Sequence, residues 1–189
     1  MLAHNNYDMH NVNIFGGIMR KIIVSIFLVL TFICSCSGKS ETALDWFNKA
    51  AALNYANPQK TIEYLSNAIK LTPDYAAAFN ERGIAYSQLG QHQSAIEDFN
   101  EAIRLKPDNF NAFNNRGIAY SLLGQYPRAI ENFNEAIRLK PDNVNSYNDR
   151  GVTYFNQKNK ILGCRDALKA CSLGKCQLLE TAKGKGYCH

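Results

Sequence analysis

The sequence predicts an all-α protein, a solenoid built from helix–turn–helix repeats. Residues 73–106 and 107–140 align without a gap and are identical at 25 of 34 positions. A period of 34 residues in a segment of helix-forming composition is typical of stacked helix pairs. With 189 residues, the chain has room for about four such pairs and a short C-terminal cap, because no pair can bury its apolar face alone.

The first element in chain order is an export signal that begins at Met19. Two basic residues follow it and precede a twelve-residue apolar run without a charge, 22–33. A membrane-spanning helix needs about 20 such residues, whereas a shorter run between a basic start and small polar residues is typical of a signal peptide. We therefore predict a signal over 19–35, an untranslated or unstructured stretch over 1–18, and a mature chain outside the cytoplasm.

The four residues ICSC at 33–36 resemble the cleavage box of bacterial lipoproteins, whose last cysteine receives the lipid. The resemblance implies a lipidated Cys36, a linker over 36–41, and a membrane anchor facing the periplasm, at the outer membrane rather than the inner one. Cys34 fits less well as the acceptor, because a bulky isoleucine would then stand at the cleavage site. Cleavage after Ser37 without lipid is the alternative, and it would release a secreted protein.

Two central units, 76–109 and 110–143, place small and large residues at the same positions. In the first of them, Gly83 allows the two helices to approach closely, and Phe99 fills the space beside it. Gly90 follows the first helix, where a left-handed residue is favoured. The second unit has the same residue types at Gly117, Phe133 and Gly124, and the candidate N-caps of the following helices are Asp108 and Asp142.

This pattern resembles the tetratricopeptide repeat (TPR) over both central units. The resemblance implies a right-handed superhelix of about four units. Arg82 and Arg116 depart from the family pattern, because Leu is usual at their position. The flanking units, 42–75 and 144–177, match less well, and Ala167 replaces the second-helix Phe in the last one. Terminal repeats are expected to be atypical, because one side of each faces solvent.

Four cysteines near the C-terminus predict two disulfides, since an even number of cysteines is typical of disulfide bonding in an exported chain. Cys164 and Cys171 would lie roughly 10 Å apart on one helix, which is too far for a bond. The favoured pairing joins Cys171 to Cys176 and Cys164 to Cys188, and closes a cap over 178–189. The second pairing joins Cys164 to Cys176 and Cys171 to Cys188. The cysteine spacings do not match those of structural zinc sites, so we predict no metal.

The TPR resemblance also implies a concave groove, lined by the first helix of each unit, in which a partner peptide lies. Amides that recur once per repeat can hydrogen-bond the backbone of an extended peptide. The alternative is that these amides are only a tolerated polar surface. Some TPR proteins clamp a terminal carboxylate with Lys and Arg, and the matching positions here do not hold them. The predicted groove residues are Asn80, Glu81, Ser87, Asn111, Asn114, Asn115, Ser121, Asn145, Asn148 and Asp149, with Phe155 at an equivalent position of the last unit.

Composition and motifs narrow the function to binding. The sequence contains no GxSxG, HExxH, GxGxxG or Walker motif, so we predict no enzyme and no cofactor. The formal net charge of +5 is concentrated from residue 157 onward, and the repeats have no basic stripe interleaved with aromatics, which disfavours nucleic acid. We predict a non-catalytic scaffold of the bacterial cell envelope that binds a partner protein or peptide. The alternative is a soluble secreted protein whose basic tail recognises cell wall or a host target.

Overall fold

The computed structural model describes residues 40–54 and 56–188, and these form nine helices and no strand. The predicted all-α fold is confirmed. The signal at 19–35 and the lipidation candidate Cys36 lie outside the described residues. None of the described helices combines the length and the apolar character needed to cross a membrane. The helices are α1 (Ala43–Ala52), α2 (Pro58–Leu71), α3 (Ala76–Gln88), α4 (His92–Leu105), α5 (Phe110–Leu122), α6 (Tyr126–Leu139), α7 (Val144–Asn156), α8 (Lys160–Ser172) and α9 (Gln177–Gly184).

The first eight helices pack in consecutive pairs, and each pair stacks on the next. The second helix of a pair also packs against the first helix of the following pair, while α9 closes the stack against α7 and α8. Leu65, Phe99 and Phe133 occupy the same position in three successive second helices and are fully buried. Stacking therefore buries the apolar face that each pair cannot bury by itself.

Glycine permits the close approach within the two central pairs. A Cβ atom added at Gly83 would lie 2.7 Å from the ring of Phe99, and one added at Gly117 would lie 2.7 Å from the ring of Phe133. Both distances are shorter than carbon atoms tolerate, so any larger residue would displace the ring. The predicted packing of Phe beside Gly is confirmed.

The turns and caps follow the sequence prediction in part. Gly90 and Gly124 have φ angles of +73° and +72°, the left-handed conformation expected after a first helix. The N-caps of α5 and α7 are Asn109 and Asn143, whose side chains accept hydrogen bonds from the first helical turn. The predicted aspartate caps are wrong by one residue, because the aspartates stand in the turn before the position that reaches those amides.

An arginine in each first helix from α3 onward ties three helices together, and it stands where the TPR pattern usually has Leu. Arg82 in α3 donates two hydrogen bonds to Asp98 in α4, at 2.8 and 2.7 Å, and a third to Ser66 in α2, at 3.0 Å. We call this arrangement an arginine clamp; its partners lie 16 residues before and 16 residues after the arginine. The same offsets recur for Arg116 with Asn100 and Asn132, and for Arg150 with Asn134 and Asp166.

The middle clamp has an amide where the other two have a carboxylate. Asp166 accepts from Arg150 at 2.7 Å in a buried ion pair. Burial disfavours the charge on Arg150, but the hydrogen bonds and charge of Asp166 outweigh it and raise the pKa of Arg150. Arg116 is paired with Asn132 instead, and burial lowers the pKa of Arg116. The middle clamp is therefore the weakest of the three electrostatically.

Helix α9 fills the space that the degenerate last unit leaves. Ala167 stands where earlier second helices have Phe, and Leu178 of α9 takes the place of that ring beside Gly151, where an added Cβ would meet it at 3.0 Å. Phe155, expected to line the groove, instead packs against Tyr187 with ring centroids 5.6 Å apart. Gly163 stands where earlier second helices have alanine and makes room for Phe155, because a Cβ atom added there would lie 2.6 Å from the Phe155 ring.

Two disulfides hold the cap in place. Cys164 is bonded to Cys188, with Cα atoms 5.6 Å apart, and Cys171 is bonded to Cys176. The favoured nested pairing is confirmed. All four sulfur atoms are bonded in disulfides, so they are not free to bind zinc as thiolates. The bonds join residues 24 and 5 positions apart, for which a loop-entropy model gives stabilisation of about 3.5 and about 2 kcal/mol. They offset packing that the last unit has lost.

The middle clamp should gain stability when it is given the carboxylate of its neighbours. We expect Asn132→Asp to raise the free energy of unfolding by about 1 kcal/mol, because an ion pair with Arg116 replaces a hydrogen bond to a neutral amide. The reciprocal change, Asp166→Asn, should lower it by about 1–3 kcal/mol, because Arg150 loses its buried counterion. Urea unfolding followed by far-UV circular dichroism measures both. Glu131→Gln, on the exposed face beside the clamp, is the control and should change little; a loss of stability in Asn132→Asp would contradict the argument.

Candidate functional site

Three equivalent hollows lie between successive first helices, one at each junction of two units. Their volumes are about 420, 480 and 460 Å³ in chain order. The buried second-helix residues described above form the apolar floors, with Leu65 in the first hollow, Phe99 in the second and Phe133 in the third. The repeat therefore generates a row of similar recesses along one face of the stack.

Each hollow has a polar wall at the sixth position of a first helix. Glu81 lines the first hollow, Asn115 the second and Asp149 the third. Ser87 and Ser121 add a hydroxyl to the second and third hollows respectively. These five residues belong to the predicted groove set, and the structure brings them together with the apolar floors.

Side-chain hydrogen bonds connect adjacent first helices along the same face. Asn115 Nδ2 donates to Asn80 Oδ1 at 3.2 Å, and Asn114 Nδ2 donates to Asp149 Oδ2 at 3.0 Å. Both bonds join the fifth position of one unit to the sixth position of the next, 35 residues on. Asn80 and Asn114 are each only 7% exposed. These amides therefore hold the units together, a role that the sequence pattern did not separate from peptide binding.

One of these asparagines has a buried oxygen without a partner in the described part of the chain. Asn114 Oδ1 accepts no hydrogen bond from any of the described residues. Asn148 Nδ2 donates to Asp149 Oδ1 at 3.3 Å, so this carboxylate accepts from two asparagines. Of the other predicted groove residues, Asn111 is exposed, and Asn145 is exposed and accepts from Lys175 Nζ at 3.1 Å.

The charges that line the hollows are negative. Glu81 and Asp149 are the charged residues among the hollow-lining side chains described here. The arginines of the same first helices turn away into the arginine clamps, where their guanidinium groups face the second helices. A groove of this kind favours amide donors and cationic groups of a partner, and it disfavours a carboxylate.

Sequence reasoning missed the floors of the hollows as part of the site. Phe99 and Phe133 were assigned to the core alone, yet these buried rings also form the floors of the second and third hollows. Thr153 also lines the third hollow and shares a 3.0 Å hydrogen bond with Ser121. The only available signal was recurrence at 34 residues, and recurrence marks core and groove positions alike.

Comparison with known proteins identifies the repeat. Residues 85–124 and 119–158 match the family model described as TPR repeat. The fold is similar to that of MamA (41-end) from Desulfovibrio magneticus RS-1, with a TM-score of 0.63 and 22% identity, over 70% of this chain and 75% of that chain. A second crystal structure of MamA gives a TM-score of 0.66 and 21% identity over 96% of this chain and 99% of that chain.

A chain from a multi-subunit complex has a similar fold. The crystal structure of the APC/C hetero-tetramer Cut9–Hcn1 contains a chain with a TM-score of 0.69 and 20% identity, over 76% of this chain and 30% of that chain. No curated protein sequence matches the chain. Fold and repeat together define a helical-repeat protein of the solenoid class. Residues 85–158 are tetratricopeptide repeats, and the described helices before and after them continue the same helix-pair stack.

The link between Asn114 and Asp149 can be tested by charge. Asn114→Asp would place a second carboxylate where an amide now donates at 3.0 Å. We expect a loss of about 1–3 kcal/mol at neutral pH, because two adjacent carboxylates repel and raise the pKa of one of them. The folded state then binds a proton more tightly than the unfolded state, so stability relative to the native chain recovers as the pH falls towards about 4.

The matched control is Asn111→Asp, which adds the same charge at an exposed position of the same helix. Chemical unfolding at several pH values should show less than about 0.5 kcal/mol change for this control. Equal effects of the two substitutions, at every pH, would mean that the amide at position 114 does not connect the units.

Proposed function

We propose that this protein is a non-catalytic adaptor that holds an extended segment of a partner protein in the groove along its first helices. The row of three equivalent hollows, each with an apolar floor and a polar wall, supports this function. An extended chain presents side chains at regular intervals, and a repeating surface can accept them in register. TPR arrays are scaffolds for protein binding, and the hollows supply the contact points that such a role needs.

The chemistry of the hollows favours a particular kind of partner segment. Apolar side chains would enter above Phe99 and Phe133, while backbone amides or a Lys or Arg side chain would face Glu81 and Asp149. A segment that ends in a free carboxylate is disfavoured by the same charges. Ordering an extended segment costs conformational entropy, so we expect modest affinity and ready exchange of partners.

The proposed site of action is the periplasmic side of a bacterial membrane. The two disulfides are typical of an oxidising, exported compartment. Lipidation at Cys36, after a signal over 19–35, would anchor the array, with the outer membrane favoured over the inner one. Neither the groove nor the clamps resemble a nucleic-acid surface. The alternative is a secreted protein that begins after Ser37 and binds cell wall or a host target through its basic tail.

Site-specific photo-crosslinking tests the groove. Benzoylphenylalanine placed at Ser121, in the third hollow, should capture a defined partner segment in cells of the native host. The same probe at Glu131, on the exposed outer face of α6, is the control and should not capture it. Mass spectrometry of the crosslinked peptide identifies the segment. Equal capture from both positions, or capture from Glu131 alone, would contradict binding in the groove.

Filling a hollow should then release the segment that was captured. Ser87→Trp would occupy the second hollow, and we expect at least about tenfold weaker binding of that segment because its apolar side chain is excluded. Glu97→Trp, on the exposed outer face of α4, adds the same side chain away from the groove and should leave binding unchanged. Titration calorimetry with the synthetic segment measures both.

Intact mass spectrometry of the membrane fraction tests the anchor. We expect a chain that begins at Cys36 with acyl groups attached, and four alkylated thiols that appear only after reduction. A water-soluble species beginning at Gly38 would instead favour the secreted alternative. Thiols that alkylate without reduction would contradict the exported, oxidised state.

A further inference from the structure

The outer face of α8 reverses the charge of the equivalent helices before it. At two positions where α4 and α6 have glutamate, α8 has Arg165 and Lys169, and both cations are exposed. The reversal occurs in the unit that ends the stack, where no further pair of helices follows within the described residues. The glutamates at the equivalent positions are Glu97 and Glu101 in α4, and Glu131 and Glu135 in α6.

Two apolar side chains stand among these cations. Ile161 is 83% exposed and Leu168 is 54% exposed. The equivalents of Leu168 are Asn100 and Asn134, which accept hydrogen bonds from the arginine clamp of the next unit. Since α8 has no following clamp to serve, an asparagine is not needed there. The absence of a following clamp does not explain an exposed leucine, because any small polar residue could occupy that position equally well.

The apolar and cationic residues form one stripe. Ile161, Arg165 and Leu168 are spaced by four and three residues, so they lie one above another along the same face of α8. Lys169 borders the stripe, and Lys160 borders it on the other side while its Nζ lies 4.6 Å from the ring centre of Tyr187. We call this surface the basic–apolar face.

The surroundings add charge of the same sign. Seven Lys and Arg residues lie between residues 157 and 188, and every one of them is exposed. Of the two acidic residues in this stretch, Asp166 is buried against Arg150, which leaves Glu180 as the exposed carboxylate. The C-terminal end of the array is therefore strongly cationic at its surface, while the hollows of the groove are anionic.

We propose that the basic–apolar face docks onto an anionic phospholipid bilayer. Exposed apolar side chains flanked by Lys and Arg on one helix face are the combination that an interfacial membrane helix uses, with the cations at the phosphate groups and the apolar residues at the acyl boundary. A soluble polyanion would explain the cations alone, and a second copy of this chain would bring the same positive charge against itself. This site is separate from the groove and would orient the array on a membrane surface.

Vesicle co-sedimentation tests the proposal. The probe protein is the chain from position 36 onward with Cys36→Ser, so that no acyl chain contributes; the described helices all belong to the compact unit that begins at residue 42. We expect binding to vesicles of equal parts phosphatidylglycerol and phosphatidylcholine, and none to phosphatidylcholine alone. Arg165→Glu with Lys169→Glu should weaken binding at least about tenfold, since each cation near an anionic surface contributes roughly fivefold.

Two further variants separate the mechanism from simple charge. Ile161→Gln with Leu168→Asn introduces the residues that α4 has at these positions, Gln93 and Asn100. We expect roughly tenfold weaker binding because no side chain enters the acyl boundary. Lys70→Glu with Lys106→Glu reverses two exposed charges elsewhere in the array and should retain binding. Far-UV circular dichroism confirms folding of each variant.

Three outcomes would overturn the proposal. The first is unchanged vesicle binding in the Ile161→Gln and Leu168→Asn variant. The second is equally tight binding of soluble polyglutamate, which would make the surface a general polyanion site. The third is an absence of vesicle binding together with self-association that the same variants abolish, which would make the face a contact between copies. Groove variants such as Ser87→Trp should leave vesicle binding unchanged, so the two functions are tested independently.

Discussion

The arginine clamp determines how one helix pair can sit on the next. A pair of short amphipathic helices has no stable fold alone, so its apolar face must find a neighbour, and apolar contact by itself is not directional. Arg82 meets Asp98 in its own unit and Ser66 in the preceding one, which joins three helices at defined atoms. Because such polar contacts require good geometry, they set the register that the apolar contacts leave loose. The hollows of the groove depend on that register.

The groove follows from the same repetition. Once successive pairs are held in one register, equivalent residues recur along one face, and the buried rings of Phe99 and Phe133 leave equivalent recesses beside the first helices. The bonds from Asn115 to Asn80 and from Asn114 to Asp149 fasten those helices together. A surface preorganised in this way loses little freedom when a partner binds, so the entropic cost falls on the partner.

Much of the fold could be predicted from the sequence, and less of the site. Helix pairing, the glycines beside Phe99 and Phe133, and the nested disulfides follow from period, residue size and the reach of a helix. The function of Arg82 and its equivalents could not be predicted, because their partners lie in two other helices and a period of 34 residues does not say which side chains meet. The position of Phe155 could not be predicted for a related reason: its ring lies against Gly163 and Tyr187, which are distant from it in the sequence.

Departures from an internal repeat are more informative than the repeat itself. A residue that recurs in every unit is explained by packing, which every unit shares, and so says little about what one unit does. Where the last unit changes, packing explains only part of the difference. Leu178 replaces a lost ring and the disulfides replace lost contacts, yet Ile161, Arg165 and Leu168 on the outside of α8 remain exposed. Several exposed residues on one face of α8 differ from the equivalent residues of the earlier repeats, and they are cationic or apolar. Such a concerted change indicates selection for contact with something outside the chain.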